Sequence, residues 1–172
     1  MSKLEMQQCV LGQVFTNCYF LKNKKTGELL IVDPGDYAEK VFQKVALMQG
    51  KPVGILLTHG HFDHIMAVKE VKEKYQIPVY ACRQEEAMLA EPTVNMTAVY
   101  GRAVPSGRMF FWMTGRFLKL PDFPSRCSIH RDTPREAAAT ILRTKACFSA
   151  EIHCSVALLE EPIFRAEVLR RS

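Results

Sequence analysis

Hydrophobic and polar positions change period along this chain, and the changes mark its elements. Residues 8–12 and 17–22 set aromatic and β-branched side chains between polar ones, which predicts two opening strands. Residues 22–27 form a polar turn. The unbroken run Leu29-Leu30-Ile31-Val32 predicts a buried strand over 28–32. Asp33-Pro34-Gly35 ends it, because proline removes a ladder donor and glycine favours a turn. Residues 37–49 carry Val41, Val45 and Met48 at helical spacing, with Gly50 at the C-terminal end. A second buried strand follows over 53–57, an amphipathic helix over 66–75, a strand over 77–81 and a short helix over 83–89. Strands alternating with helices predict an α/β layered domain.

The chain has 172 residues, 48% hydrophobic and 24% charged, enough for one globular domain with a core. No apolar run follows a basic start, and none approaches the roughly 18 residues needed to span a bilayer. The expectation is a cytoplasmic protein without a membrane partner. Six cysteines are scattered with no C-x-x-C spacing, which predicts reduced thiols, mostly buried. The net charge of +5 raises nucleic acid as a partner, but its distribution argues against one. Residues 1–103 hold 12 basic and 11 acidic side chains, whereas 104–172 hold 11 and 7. The surplus belongs to the second part. Lys69, Glu70, Lys72, Glu73 and Lys74 read as a solvated helix face.

The chemistry concentrates in Thr58-His59-Gly60-His61-Phe62-Asp63-His64. Three of the five histidines sit in this loop beside one carboxylate. Neutral imidazole is the commonest metal ligand, and carboxylate oxygen its usual complement on a hydrolytic zinc. His59 and His61, two apart in extended backbone, point the same way. Asp63 and His64 follow where the chain turns, so one loop offers ligands to two neighbouring metal ions. A loop serving only solubility would use Lys, Glu or Ser. Asp33, at the end of a buried strand, has two open readings: a cap for the next helix, or an acid that orients a metal-ligating histidine.

These motifs resemble the metallo-β-lactamase fold. His-x-His-x-Asp-His after a buried strand, with Asp-Pro-Gly upstream, carries the likeness. Thr16-Asn17-Cys18-Tyr19, Val32-Asp33-Pro34-Gly35 and residues 95–102 are similar to its small branch near the hydroxyacylglutathione hydrolases. The likeness covers roughly residues 1–103 and implies an αββα sandwich. It implies two zinc ions, the first held by His59 and His61, the second by Asp63 and His64. Asp33 and Thr58 would stand behind these ligands. Asp63 would also act catalytically, orienting a metal-activated water that attacks a small-molecule thioester. Iron or manganese are the alternative metals. Iron with two histidines and one aspartate would imply a sulfur dioxygenase. A nucleic-acid-processing relative is disfavoured by the near-neutral first part.

The family's downstream ligands, in His-Thr-Pro-Gly-His-like and Ser-Gly-Asp-Thr-like turns, do not appear in frame. A one-base shift supplies them. One permitted coding of IHRDTPREAAATIL, residues 129–142, reads HTPGHTPGGCCYYL in the neighbouring frame. The same shift permits LFSGDTL under 148–154, RTDFPGGS under 161–168 and FSFQV under 123–127. Each shifted codon takes two bases from a residue already fixed, so four ordered motifs are not a chance match. The expectation is that residues 104–172 are an out-of-frame tail, packing without a selected hydrophobic period. The shifted ligands would fall near Thr133 and Ile152. The literal chain would then be an inactive fragment with an incomplete metal site.

Overall fold

The computed structural model describes residues 4–100, 109–112, 117–118 and 127–128. Its centre is a six-stranded sheet in sequence order: β1 (Leu4–Leu11), β2 (Thr16–Asn23), β3 (Glu28–Val32), β4 (Lys51–Leu57), β5 (Val79–Cys82) and β6 (Met109–Trp112). The first three strands run antiparallel and the pairs from β3 to β6 parallel. Parallel neighbours need crossovers. The first is α1 (Ala38–Leu47). The second holds α2 (Phe62–Ile65) and α3 (Val68–Tyr75). Both crossovers step the same way along the sheet, so right-handed connection lays α1 and α3 on one face. There the ring of Phe42 meets Tyr75 edge-on, centroids 5.8 Å apart, with the Lys74 ammonium 3.7 Å above Phe42.

The continuous apolar runs follow from burial of both sheet faces. Leu29, Ile31, Ile55, Leu57, Val79 and Ala81 pack with Val41, Val45, Val68 and Val71 of the helices. The alternate residues Leu30, Val32, Leu56 and Tyr80 form a second buried cluster with Leu4 and Leu21. Two apolar faces fit the inner sheet of a layered α/β sandwich.

The expected elements are all present, with shifted edges. The helix expected over 66–75 is α3, and a separate unexpected turn, α2, precedes it from Phe62, so Asp63 and His64 stand in a helical turn. The short helix expected over 83–89 is a 3-10 turn, Arg83–Glu85, followed by α4 (Glu86–Ala90). Strand β6 lies beyond residue 103, in the stretch assigned to an out-of-frame tail. Its Met-Phe-Phe-Trp sequence has high strand propensity and pairs with β5 residue for residue. Phe117–Leu118 and Cys127–Ser128 form a separate antiparallel pair. The remaining tail residues, including His130, Asp132, Thr133, Ile152 and His153, lie outside the described residues. Cys9, Cys18 and Cys82 are free thiols, the last two buried. No helix among the described residues is long and apolar enough to cross a membrane.

Candidate metal centre

The site stands on one rim of the sheet. Strands β3, β4 and β5 are parallel, so their C-terminal ends open on the same side. Asp33 leaves the end of β3, and Thr58 through His64 leave the end of β4. Strand β2 runs the other way, which brings its first residue, Thr16, to the same rim. Crevices beyond strand C-termini are the general ligand sites of open α/β sheets.

His59, Asp63 and His64 come together: one ligand atom from each lies within 4.8 Å of the others. The His59 and His64 rings are 3.8 Å apart between centroids. His61 meets His59 edge-on, with centroids 5.0 Å apart, and is not in that tight group. The grouping therefore crosses the His59–His61 and Asp63–His64 pairs that the resemblance implies. The reason is local. His61 precedes α2 in extended backbone, while α2's first turn swings Asp63 and His64 back toward His59.

Asp33 resolves its two readings. The N-cap of α1 is Tyr37, without a side-chain cap, so Asp33 does not cap that helix. Its backbone sits at φ 50, a conformation that non-glycine residues rarely adopt. The peptide stays anchored because the Asp33 N–H donates to the Leu56 carbonyl at 3.0 Å. The carboxylate then accepts the Thr58 N–H at 2.8 Å and the Thr58 hydroxyl at 2.5 Å. It also lies 3.0 Å from His64 Nδ1.

Proton positions follow from these contacts. The single hydroxyl proton of Thr58 goes to Asp33, so Thr58 Oγ1 faces His59 Nδ1, 3.1 Å away, with lone pairs only. His59 therefore carries its proton on Nδ1 and leaves Nε2 as the ligand atom. Burial holds His59 down at about 4, helped by the neighbouring His64, so it is neutral at physiological pH. Burial also opposes charge on His64, but Asp33 and then Asp63 outweigh it and raise His64 to about 10. Burial alone would raise the Asp63 carboxyl. His64, 3.3 Å away, and the Thr16 hydroxyl, donating at 2.6 Å, instead hold it well below the usual carboxylate range.

Without a metal, His64 is thus a cation clasped by two carboxylates. Below about pH 6.5 it is protonated in folded and unfolded chains alike, and its stabilising contribution is fully present. As pH rises from about 6.5 through about 10, that contribution is lost. Urea unfolding of the metal-free protein should show its midpoint falling across this window. His64→Gln should flatten the fall; an equal slope in the variant would remove His64 as its cause.

The donor set fits a divalent cation. Two imidazoles and an anionic carboxylate converge, and a carboxylate or hydroxyl stands behind each. Asp33→Asn should weaken metal binding about 10- to 100-fold, the usual effect of losing such an outer partner. Competition with a coloured chelator would measure it.

Thr16, Glu85 and Asn95 also belong to this region, and sequence reading assigned none of them a role. Glu85 accepts the Gly60 N–H at 3.0 Å, and the Asn95 carbonyl accepts the Phe62 N–H at 2.8 Å. A cleft of about 170 Å³ opens beside Asp63, lined by Gly12, Val14, Gly35, Phe62, Met66 and Tyr100. Its Phe62 and Tyr100 rings stack at 4.4 Å.

The fold and this centre define the class. The family model of the metallo-beta-lactamase superfamily matches residues 11–137, and the chain belongs to that superfamily. It is similar to the Bacillus subtilis protein named "Probable metallo-hydrolase YqgX", 39% identical over 92 residues, which are 54% of this chain and 43% of the relative. An uncharacterised Aquifex aeolicus protein is 36% identical over 95 residues, covering 55% of this chain and 44% of the relative. The chain thus spans less than half the length of these relatives. Among solved structures, the BLEG-1 B3 metallo-beta-lactamase superimposes with TM-score 0.67 at 31% identity, covering 78% of this chain and 64% of that one. TTHA1623, solved in a di-iron-bound form, superimposes with TM-score 0.58 at 23% identity, covering 77% and 63%, and shares the fold.

Proposed function

We propose that this chain carries the metal-binding half of a hydrolase that opens small thioesters with water. The observation that carries this reading is the convergence of His59, Asp63 and His64 on the strand-end rim of a metallo-beta-lactamase-superfamily sheet. A divalent cation held there would lower the pKa of bound water toward neutrality and polarise a carbonyl. His59 would offer Nε2, and His64 would give up its proton on ligating. Asp63 remains anionic at neutral pH, so besides ligating it accepts a hydrogen bond from the attacking water. Thr16 fixes the rotation of that carboxylate. The half-apolar cleft beside Asp63 suits a small acyl group. Zinc is the proposed metal, with His61 completing its histidine set, and a hydroxyacylglutathione-like thioester the proposed substrate.

We further propose that the residues from about 104 are read out of frame, so that the literal chain lacks the downstream ligands. The test compares the 172-residue chain with a frame-restored version. The restored protein should retain zinc against a chelator and hydrolyse a panel of acyl-thiols, while the literal chain binds zinc far more weakly. Stoichiometric, chelator-resistant zinc in the literal chain would refute the out-of-frame reading. No hydrolysis by the restored protein with zinc, iron or manganese, alongside oxygen uptake with iron and a persulfide, would replace the hydrolase with a dioxygenase.

A further inference from the structure

We infer that Glu85 is a positioning residue for the metal loop. Its carboxylate grips the Gly60 backbone and thereby sets how His59 and His61, on either side, present their imidazoles. The inference rests on the metal-site reading above and extends it to a residue 25 positions away. Glu85 ends the 3-10 turn that follows β5, on the same rim as the β4 loop. It is 2% exposed, and its Oε2 accepts the Gly60 N–H at 3.0 Å. A hydrogen bond from a buried amide to a carboxylate is stronger than one to a neutral acceptor. A buried amide left without an acceptor is expensive.

The surroundings make Glu85 one jaw of a clamp. A Cβ built on Gly60 would lie 3.0 Å from Leu89 Cγ and 3.2 Å from Met88 Cγ, so α4 packs flush against the loop. Two residues on, the Phe62 N–H donates to the Asn95 carbonyl. Asn95 is itself fully buried and fixed: its amide donates to the Met88 carbonyl at 3.0 Å, and its Oδ1 accepts from the Thr97 hydroxyl at 2.7 Å. The loop backbone is therefore held at residues 60 and 62 from this side. On the opposite side, the Met66 and Ala67 amides donate to the Gly35 and Pro34 carbonyls. Of these grips, that of Glu85 uses a side chain, as does that of Asp33 on the Thr58 N–H, so a substitution at Glu85 can release Gly60 alone.

The experiment uses the full chain with Glu85→Leu, Glu85→Ala and Glu85→Gln. Two readouts are taken: amide exchange of Gly60 in the metal-free protein, and cobalt(II) affinity with its visible absorption spectrum. Glu85→Leu and Glu85→Ala should lose Gly60 protection and bind cobalt about 10- to 100-fold more weakly, with an altered spectrum. Glu85→Gln retains an acceptor oxygen and should stay close to wild type in both. Exchange at Leu30 and Leu56 reports whether each variant keeps its sheet. Should the Leu and Ala variants unfold, Glu85→Met, which fills the space without an acceptor oxygen, decides instead: full Gly60 protection in the folded variant would overturn the assignment. Wild-type cobalt affinity and spectrum in folded Glu85→Leu would also overturn it. If wild type takes up no cobalt, the cobalt readout passes to the same variants in the frame-restored protein, where no uptake would sink the metal-site reading, and Gly60 exchange alone judges the grip.

Discussion

Asp63→Asn in the frame-restored protein is expected to lower thioester turnover on the order of a thousandfold, within the range for losing a group that handles a proton. The substitution preserves shape, so the loss will not come from packing. Asn offers a neutral carbonyl where the site needs an anion. The carboxylate accepts the Thr16 hydroxyl at 2.6 Å and lies 3.3 Å from His64, and under the proposed function it would also ligate the metal. Bound metal should fall as well, which separates a ligand role from a purely catalytic one. His59→Ala and His61→Ala are expected to abolish turnover, His59 by removing a member of the tight cluster. Measuring kcat and metal content on the same samples checks all three variants. A variant of Asp63 with normal metal content and near-normal kcat would remove it from the centre.

Gly35→Ala should damage the fold itself. The Gly35 backbone is not in the left-handed region, so the requirement there is space. A Cβ at this position would stand 1.7 Å from the Asp63 carbonyl oxygen and 2.9 Å from its carbon. Both are backbone atoms of the metal loop, and no side-chain rotation relieves the clash. The two segments are also tied by the Met66 N–H to the Gly35 carbonyl at 3.1 Å and the Ala67 N–H to the Pro34 carbonyl at 3.0 Å. Alanine must push them apart and break those bonds. The expected destabilisation is about 3 kcal/mol, at the upper end for overpacking. For a chain of this size that is a fall of about 6 to 12 °C in Tm. Thermal unfolding followed by circular dichroism measures it. A Tm within about 2 °C of wild type would show that the turn and the loop are not in contact as described.

Some of this was legible in the residues alone. The Leu29–Val32 run and the apolar end of β4 specify buried strands because a strand between two packed layers shows no alternation. Val41 and Val45 specify the buried stripe of α1. The metal loop is legible because its donors lie within six residues, and few other purposes concentrate imidazoles in that way. The family model that shows the superfamily matches residues 11–137, a span that includes this loop.

What the residues alone could not decide is which donors meet. His59 closes on Asp63 and His64 because α2, a helical turn that the hydrophobic pattern did not predict, swings them back toward it. Asp33 orients His64 rather than capping α1 because a left-handed backbone turns its carboxylate along the rim. The strand propensity of residues 109–112 could not by itself place them in the sheet, since that place is set by pairing with β5. Thr16 reaches Asp63 across 47 positions, and Glu85 reaches Gly60 across 25. Such contacts leave no periodic trace in a sequence. They arise only when parallel strands align their ends, because hydrogen bonds and close packing act through space over a few ångströms and are indifferent to separation along the chain.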